Sequence, residues 1–142
     1  MIKFRHAGIV VSNIDRSIDF YKELLNPISI KDAMESGEYI DKFLGLKNVN
    51  VRTVKMTLEC GGIVELLRFF SHPYLPTDKS ITNLGCSHIA LTVSDLEETY
   101  TKLKGTGTEF INAPHLSPDG LAKVAFCHDP DGTFLELVEE IK

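Results

Sequence analysis

GCSHIALTVSDLEET, residues 85–99, opens with a small-residue turn, becomes an apolar strand, and passes through Ser94-Asp95 into a helical pattern. Residues 4–17, FRHAGIVVSNIDRS, follow the same plan around His6. The two stretches superpose residue by residue: His6 falls on His88, Ser12 on Ser94, Asn13 on Asp95 and Ile14 on Leu96. A chain that repeats itself in this way announces its architecture, because each copy is one folding unit.

The remaining elements extend the repeat. In the first half, residues 3–12 alternate as a strand. Asn13 or Ser12 caps a helix, IDRSIDFYKELL, that Asn26-Pro27 ends. ISIKDAM is a second strand, GEYIDKFLGL a short helical excursion closed by Gly45, and VNVRTVKMTLE a third strand. Gly61-Gly62 turns the chain into a fourth strand, IVELLRFF. Residues 71–84, polar and proline-containing, form a linker. In the second half the expected order is a strand at 86–93, a helix at 95–104 capped by Ser94 or Asp95, and a strand GTEFI. A loop NAPHLSPDG, a strand LAKVAFCH, a DPDG turn and a last strand TFLELVEE complete it. The expectation is one α+β domain over residues 1–142, made of two βαβββ modules (about 1–70 and 85–142) joined by linker 71–84. Together they form a cupped mixed sheet with helices on the outside.

The bulk properties are those of an ordinary globular chain: 142 residues, 43% hydrophobic and 25% charged, with a net charge of −5. There is no basic stripe, which argues against a nucleic-acid partner. No apolar run is long enough for a membrane span. The N-terminus enters a strand without a signal-peptide core, so the expected location is cytoplasmic. The three cysteines (Cys60, Cys86, Cys127) have no metal or redox spacing and read as reduced thiols.

The repeat also places chemistry. GGIVELL (61–67) aligns with GTFLELV (132–138), which sets Glu65 on Glu136. Each glutamate is flanked by apolar residues, where an ionised carboxylate needs a charged partner. One such glutamate could belong to a salt bridge. Two in equivalent positions, each matched by a histidine in equivalent positions, point to a shared metal. Two imidazoles and two carboxylates suit a borderline divalent ion: Zn, Ni, Co, Mn or Fe. Four protein ligands leave room for a substrate oxygen to be polarised. The competing reading is two satisfied core histidines and two edge carboxylates.

The βαβββ repeat, the segment HAGIVVSNIDRSIDFYKELL and the closing DPDGTFLELVE resemble the vicinal oxygen chelate superfamily, which includes glyoxalase I, methylmalonyl-CoA epimerase, extradiol dioxygenases and bleomycin-resistance proteins. The resemblance covers essentially the whole chain. It implies that His6, Glu65, His88 and Glu136 are the metal ligands. A carboxylate at residue 65 is closest to the glyoxalase I-like and epimerase-like ligand pattern. The implied activity is a divalent-metal-dependent lyase or isomerase acting on a small carbonyl or thioester substrate. It would work through a metal-stabilised enediolate, with Glu136 as the proton shuttle and Glu65 able to share that role. The alternatives are an extradiol-type dioxygenase and a drug- or metabolite-binding protein. Family members of this size commonly pair, so a homodimer is expected.

Arg5, Arg52, Lys55 and Arg68 are candidates to meet an anionic substrate, and Arg52 is the best placed of them. Tyr39 and Phe43 either cover a pocket mouth or simply pack. The loop NAPHLSPDG is the natural lid. His72 and His115 read as exposed loop residues and His128 as structural.

Overall fold

The computed structural model describes residues 1–142, which fall into two compact units, Met1–Pro76 and Thr77–Lys142. The first unit runs β1 (Ala7–Val10), α1 (Ile14–Leu25), β2 (Ser29–Ser36), α2 (Glu38–Leu44), β3 (Asn50–Thr57) and β4 (Ile63–Phe69). The second runs β5 (Ile89–Thr92), α3 (Leu96–Gly105), β6 (His115–Leu116), β7 (Ala122–His128) and β8 (Phe134–Glu140). Each builds a four-stranded mixed sheet, in the orders β1-β4-β3-β2 and β5-β8-β7-β6. In both sheets the first strand runs parallel to the last and the other pairings are antiparallel. No helix is long and apolar enough to cross a membrane.

Both long helices start as the sequence predicts. Asn13 caps α1 by accepting from the Arg16 N–H at 3.1 Å, and Asp95 caps α3 by accepting from the Glu98 N–H at 2.9 Å. Asn26 ends α1 in the left-handed conformation and Gly45 ends α2 in the same way.

Strand alternation then divides each sheet into two faces. In the first unit one face carries Val54, Met56, Val64 and Leu66, nearly or fully buried, with Arg52 reaching from it to Asp15 of α1. In the second, Ala125, Cys127, Leu135 and Leu137 are fully buried with Leu96 of α3. Each such leucine contributes roughly 1.5–3 kcal/mol by leaving water. Glu65 and Glu136 stand on the opposite faces, because they alternate with Val64 and Leu66 and with Leu135 and Leu137.

Three expected strands come out differently. The first strand is Ala7–Val10 rather than 3–12, because its parallel partner β4 offers its first register position, Val64, only opposite Ala7. Met1, Ile2 and Phe4 are left exposed. In the same way β5 begins at Ile89, which faces Leu135 near the start of β8. The expected strand GTEFI is absent. Residues 109–111 make one bridge, Phe110 to Cys127, and backbone bonds on either side of it. The Asn112 side chain then takes over, its Oδ1 accepting from the Phe126 N–H at 3.1 Å. That side chain replaces a backbone partner, so the main chain peels away and rejoins β7 only at His115–Leu116. The edge strand therefore lies inside the loop that the sequence marks as a lid.

Candidate metal centre

His6 and His88 each sit one residue before their module's first strand. Gly8 pairs with Glu65 across β1 and β4, and Ala90 pairs with Glu136 across β5 and β8. In both modules the histidine is thus two residues upstream of the glutamate's partner, on the same face of the sheet. The side chains meet: His6 Nε2 lies 2.9 Å from Glu65 Oε2, and His88 Nε2 lies 3.0 Å from Glu136 Oε2. The four residues singled out in the sequence are brought together as two pairs, one in each unit.

The surroundings of the pairs differ. The Glu65 side chain is 10% exposed and its second oxygen, Oε1, lies 3.6 Å from Lys55 Nζ. Lys55 stands directly opposite Glu65 in the β3–β4 ladder. Glu136 is 26% exposed, and the residue opposite it is Phe126. The edge of the Phe126 ring meets the His88 imidazole, with centroids 5.3 Å apart. His88 is also oriented from its far side, since Nδ1 lies 2.7 Å from Ser87 Oγ. With Nδ1 so engaged, Nε2 is aimed at Glu136.

The donor set fits a borderline divalent ion. Nitrogen and oxygen ligands at about 2.0–2.2 Å on adjacent positions of an octahedral shell are about 3 Å apart, and both pairs have that separation. The same distance suits the hydrogen bond each pair makes without a metal. Within each unit the set is one histidine and one glutamate. No group of three or more His, Cys, Asp and Glu side chains is gathered that could hold an ion by itself.

Other candidates resolve into structural roles. Arg52 does not wait for an anionic substrate. It grips Asp32 of β2 with two nitrogens at 3.0 and 2.7 Å and Asp15 of α1 at 3.0 Å. These bonds hold the Asp32 carboxyl below the usual carboxylate range and raise the guanidinium still higher. Arg68 packs over the rings of Phe70 and Tyr74. In α2 it is Ile40 that packs, onto Val49 and Val51, while Tyr39 and Phe43 stack on each other and stay exposed. His115 lies in β6 and is exposed; His72 is half-buried beside Ser71. His128 rests on Phe134 with Nδ1 3.3 Å from Gly132 O. Cys86 is exposed, with its thiol 3.7 Å from the His88 carbonyl.

Comparison with known proteins shows the family. Residues 3–137 match the model of the Glyoxalase/Bleomycin resistance protein/Dioxygenase superfamily. The chain belongs to this superfamily. A probable lactoylglutathione lyase of Synechocystis sp. is 31% identical over 137 residues, covering 94% of this chain and 92% of that protein. The lactoylglutathione lyase of Escherichia coli O157:H7 is 26% identical over 142 residues, covering 98% and 93%. Among solved structures, a glyoxalase family protein from Bacillus cereus superposes with a TM-score of 0.88 at 23% identity, covering 100% of this chain and 96% of that one. Glyoxalase I from Zea mays gives 0.63 at 24% identity, covering 96% of this chain and 44% of its own. At these identities the structural likenesses establish the fold of this glyoxalase-superfamily chain.

Ser87 carries no motif and is not assigned in the sequence. Lys55 is read there only as a candidate to meet an anionic substrate. A turn at Gly61-Gly62 would set residue 58 against Glu65, whereas the actual hairpin is centred on residue 60 and sets Lys55 there.

Proposed function

We propose that this superfamily member is a divalent-metal-dependent lyase or isomerase, acting as a homodimer on a small carbonyl or thioester compound. The carrying observation is the His–Glu pair, repeated at one register in two sheets. We take the metal ligands to be the two pairs, His6 with Glu65 and His88 with Glu136. The name lactoylglutathione lyase, borne by the relatives at 26–31% identity, favours the thiol adduct of a three-carbon 2-oxoaldehyde, which is the isomer of a lactoyl thioester.

When bound, the metal supplies Lewis-acid polarisation of a substrate carbonyl oxygen. The chain supplies the rest. Glu136 takes the proton from the carbon beside that carbonyl and returns it to the neighbouring carbon, so the reaction is an isomerisation with no net loss of atoms. Its neighbour Phe126 is apolar and its ion-pair partner is His88, which suits a carboxylate that must move a proton. Glu65, more buried and bridged to Lys55, is suited to holding still. Ser87 fixes the His88 ring so that its Nε2 stays on the Glu136 side.

The test is elemental analysis of protein loaded with Ni²⁺, Zn²⁺ or Mn²⁺, followed by turnover of the 2-oxoaldehyde adduct. The expected result is one ion per set of four ligands, lost in His88→Ala, with activity returning on reloading. Unchanged metal content in His88→Ala would remove the site. Oxygen consumption with catechols, and none of the isomerisation, would move the protein to the ring-cleaving dioxygenases.

A further inference from the structure

The two half-sites are alike in their ligands and unlike in the residue opposite each glutamate. In the first sheet the row runs Lys31, Lys55, Glu65, Gly8; in the second the matching row has Phe126, Glu136, Ala90. Two lysines directly opposite each other repel, and the Glu65 carboxylate beside Lys55 offsets that repulsion. Glu65 uses its oxygens separately: Oε2 faces His6 at 2.9 Å and Oε1 faces the Lys55 ammonium at 3.6 Å. The Lys55 side chain is 40% exposed, so the ammonium keeps water on its other side while its stem lies along the sheet.

We propose that Lys55 is a positioning residue that restricts Glu65 to a single ligating oxygen. The inference rests on the metal reading above. A carboxylate can ligate through one oxygen or both, and a second Glu65 oxygen would take one of the positions that four single ligands leave open. Those are the positions a substrate with two adjacent oxygens needs. By engaging Oε1, Lys55 reserves it from the metal and keeps the shell open. Glu136, opposite a phenyl ring, has no such restraint from its ladder neighbour. The two glutamates are thereby set to different tasks, one bridged to both His6 and Lys55 and the other paired with His88.

The experiment uses metal alone as the probe. Mn²⁺ is titrated into the apoprotein of the wild type, Lys55→Met, Lys55→Arg, His6→Ala and Glu65→Ala. Affinity is read by chelator competition and bound water by proton relaxivity, with circular dichroism confirming the fold. Lys55→Met keeps the apolar stem and removes the charge. It is expected to bind Mn²⁺ more tightly by on the order of tenfold, the lower end of what partners of metal ligands do to affinity. The sign is upward because a cation beside the site is lost. The bound ion should carry one exchangeable water fewer than in the wild type. Lys55→Arg, which keeps the charge, should match the wild type. If Lys55→Met matches the wild type in both readouts while His6→Ala and Glu65→Ala lose the metal, the Lys55 inference falls and the metal site stands. A Lys55→Arg variant that behaves like Lys55→Met also overturns it. If His6→Ala and Glu65→Ala bind Mn²⁺ as the wild type does, the site reading falls and takes the inference with it.

Discussion

Phe126 stands opposite Glu136 in its ladder at the place that Lys55 takes opposite Glu65. A ring there offers no hydrogen bond and no charge, so Glu136 meets no cation across its ladder. Glu136→Gln is therefore expected to lower turnover by roughly 10²–10⁴-fold, the range for loss of a general base. Glu65→Gln should act first on metal affinity. Solvent deuterium incorporated at the substrate carbon, measured for both variants, separates the roles. A larger loss of exchange in Glu65→Gln would reverse the assignment.

Arg52 joins β3 to β2 and to α1 through Asp32 and Asp15. Asp32 is held below its ordinary pKa, first by the Arg52 hydrogen bond and then, against the cost of burial, by the Arg52 charge. A carboxyl depressed in the folded state adds stability above its unfolded pKa of about 3.9 and loses it as pH falls through the lower folded value. Half-exposed Asp32 is screened by water, so Arg52→Leu should cost on the order of 1 kcal/mol at neutral pH. Urea unfolding at pH 7 and at pH 3 should show this gap narrowing in acid. A gap that widens would contradict the pairing.

Burial pushes the Cys127 thiol up to about 12, with the nearby Asp129 charge adding to it. At pH 8 it carries almost no thiolate, the reactive form. Cys60 and Cys86 are exposed. A chromogenic disulfide reagent should titrate two thiols in the native protein and a third only on unfolding. Rapid reaction of all three would place Cys127 nearer the surface than the sheet allows.

Light scattering at micromolar concentration should report a dimer. The first sheet ends in an eight-residue edge strand, β2, that exposes Ile30 and Met34, and an unpaired edge of this length invites a partner. A monomer under those conditions would count against the pairing.

Much of this molecule can be read from its residues, and the reason is repetition. The helix limits follow from Asn13, Asp95, Asn26 and Gly45, which act locally and so are visible locally. The His–Glu pairs follow from aligning the two halves, which needs no coordinates. What escapes is set by partners distant in sequence. Where β1 and β5 begin depends on where β4 and β8 do. The strand expected at 107–111 shrinks to one bridge, and beyond it the Asn112 side chain does the work of a backbone carbonyl. Arg52 reads in the sequence as the best candidate to meet an anionic substrate, and the fold instead engages it with Asp32 and Asp15. Lys55 is one of four candidate cations in the sequence, ranked behind Arg52, and only the ladder sets it against Glu65.

The duplicated His–Glu diagonal also bears on how such a chain can drift over generations. A half-set of ligands is written into each copy at the same register, so mutations that spare the diagonal leave the donor set whole while everything around it is free to change. Residues 55 and 126 are where the copies have parted most sharply beside the site, an ammonium in one and a benzene ring in the other. A duplication first yields two identical halves, which can only share a task evenly. One substitution opposite a glutamate is enough to end that equality.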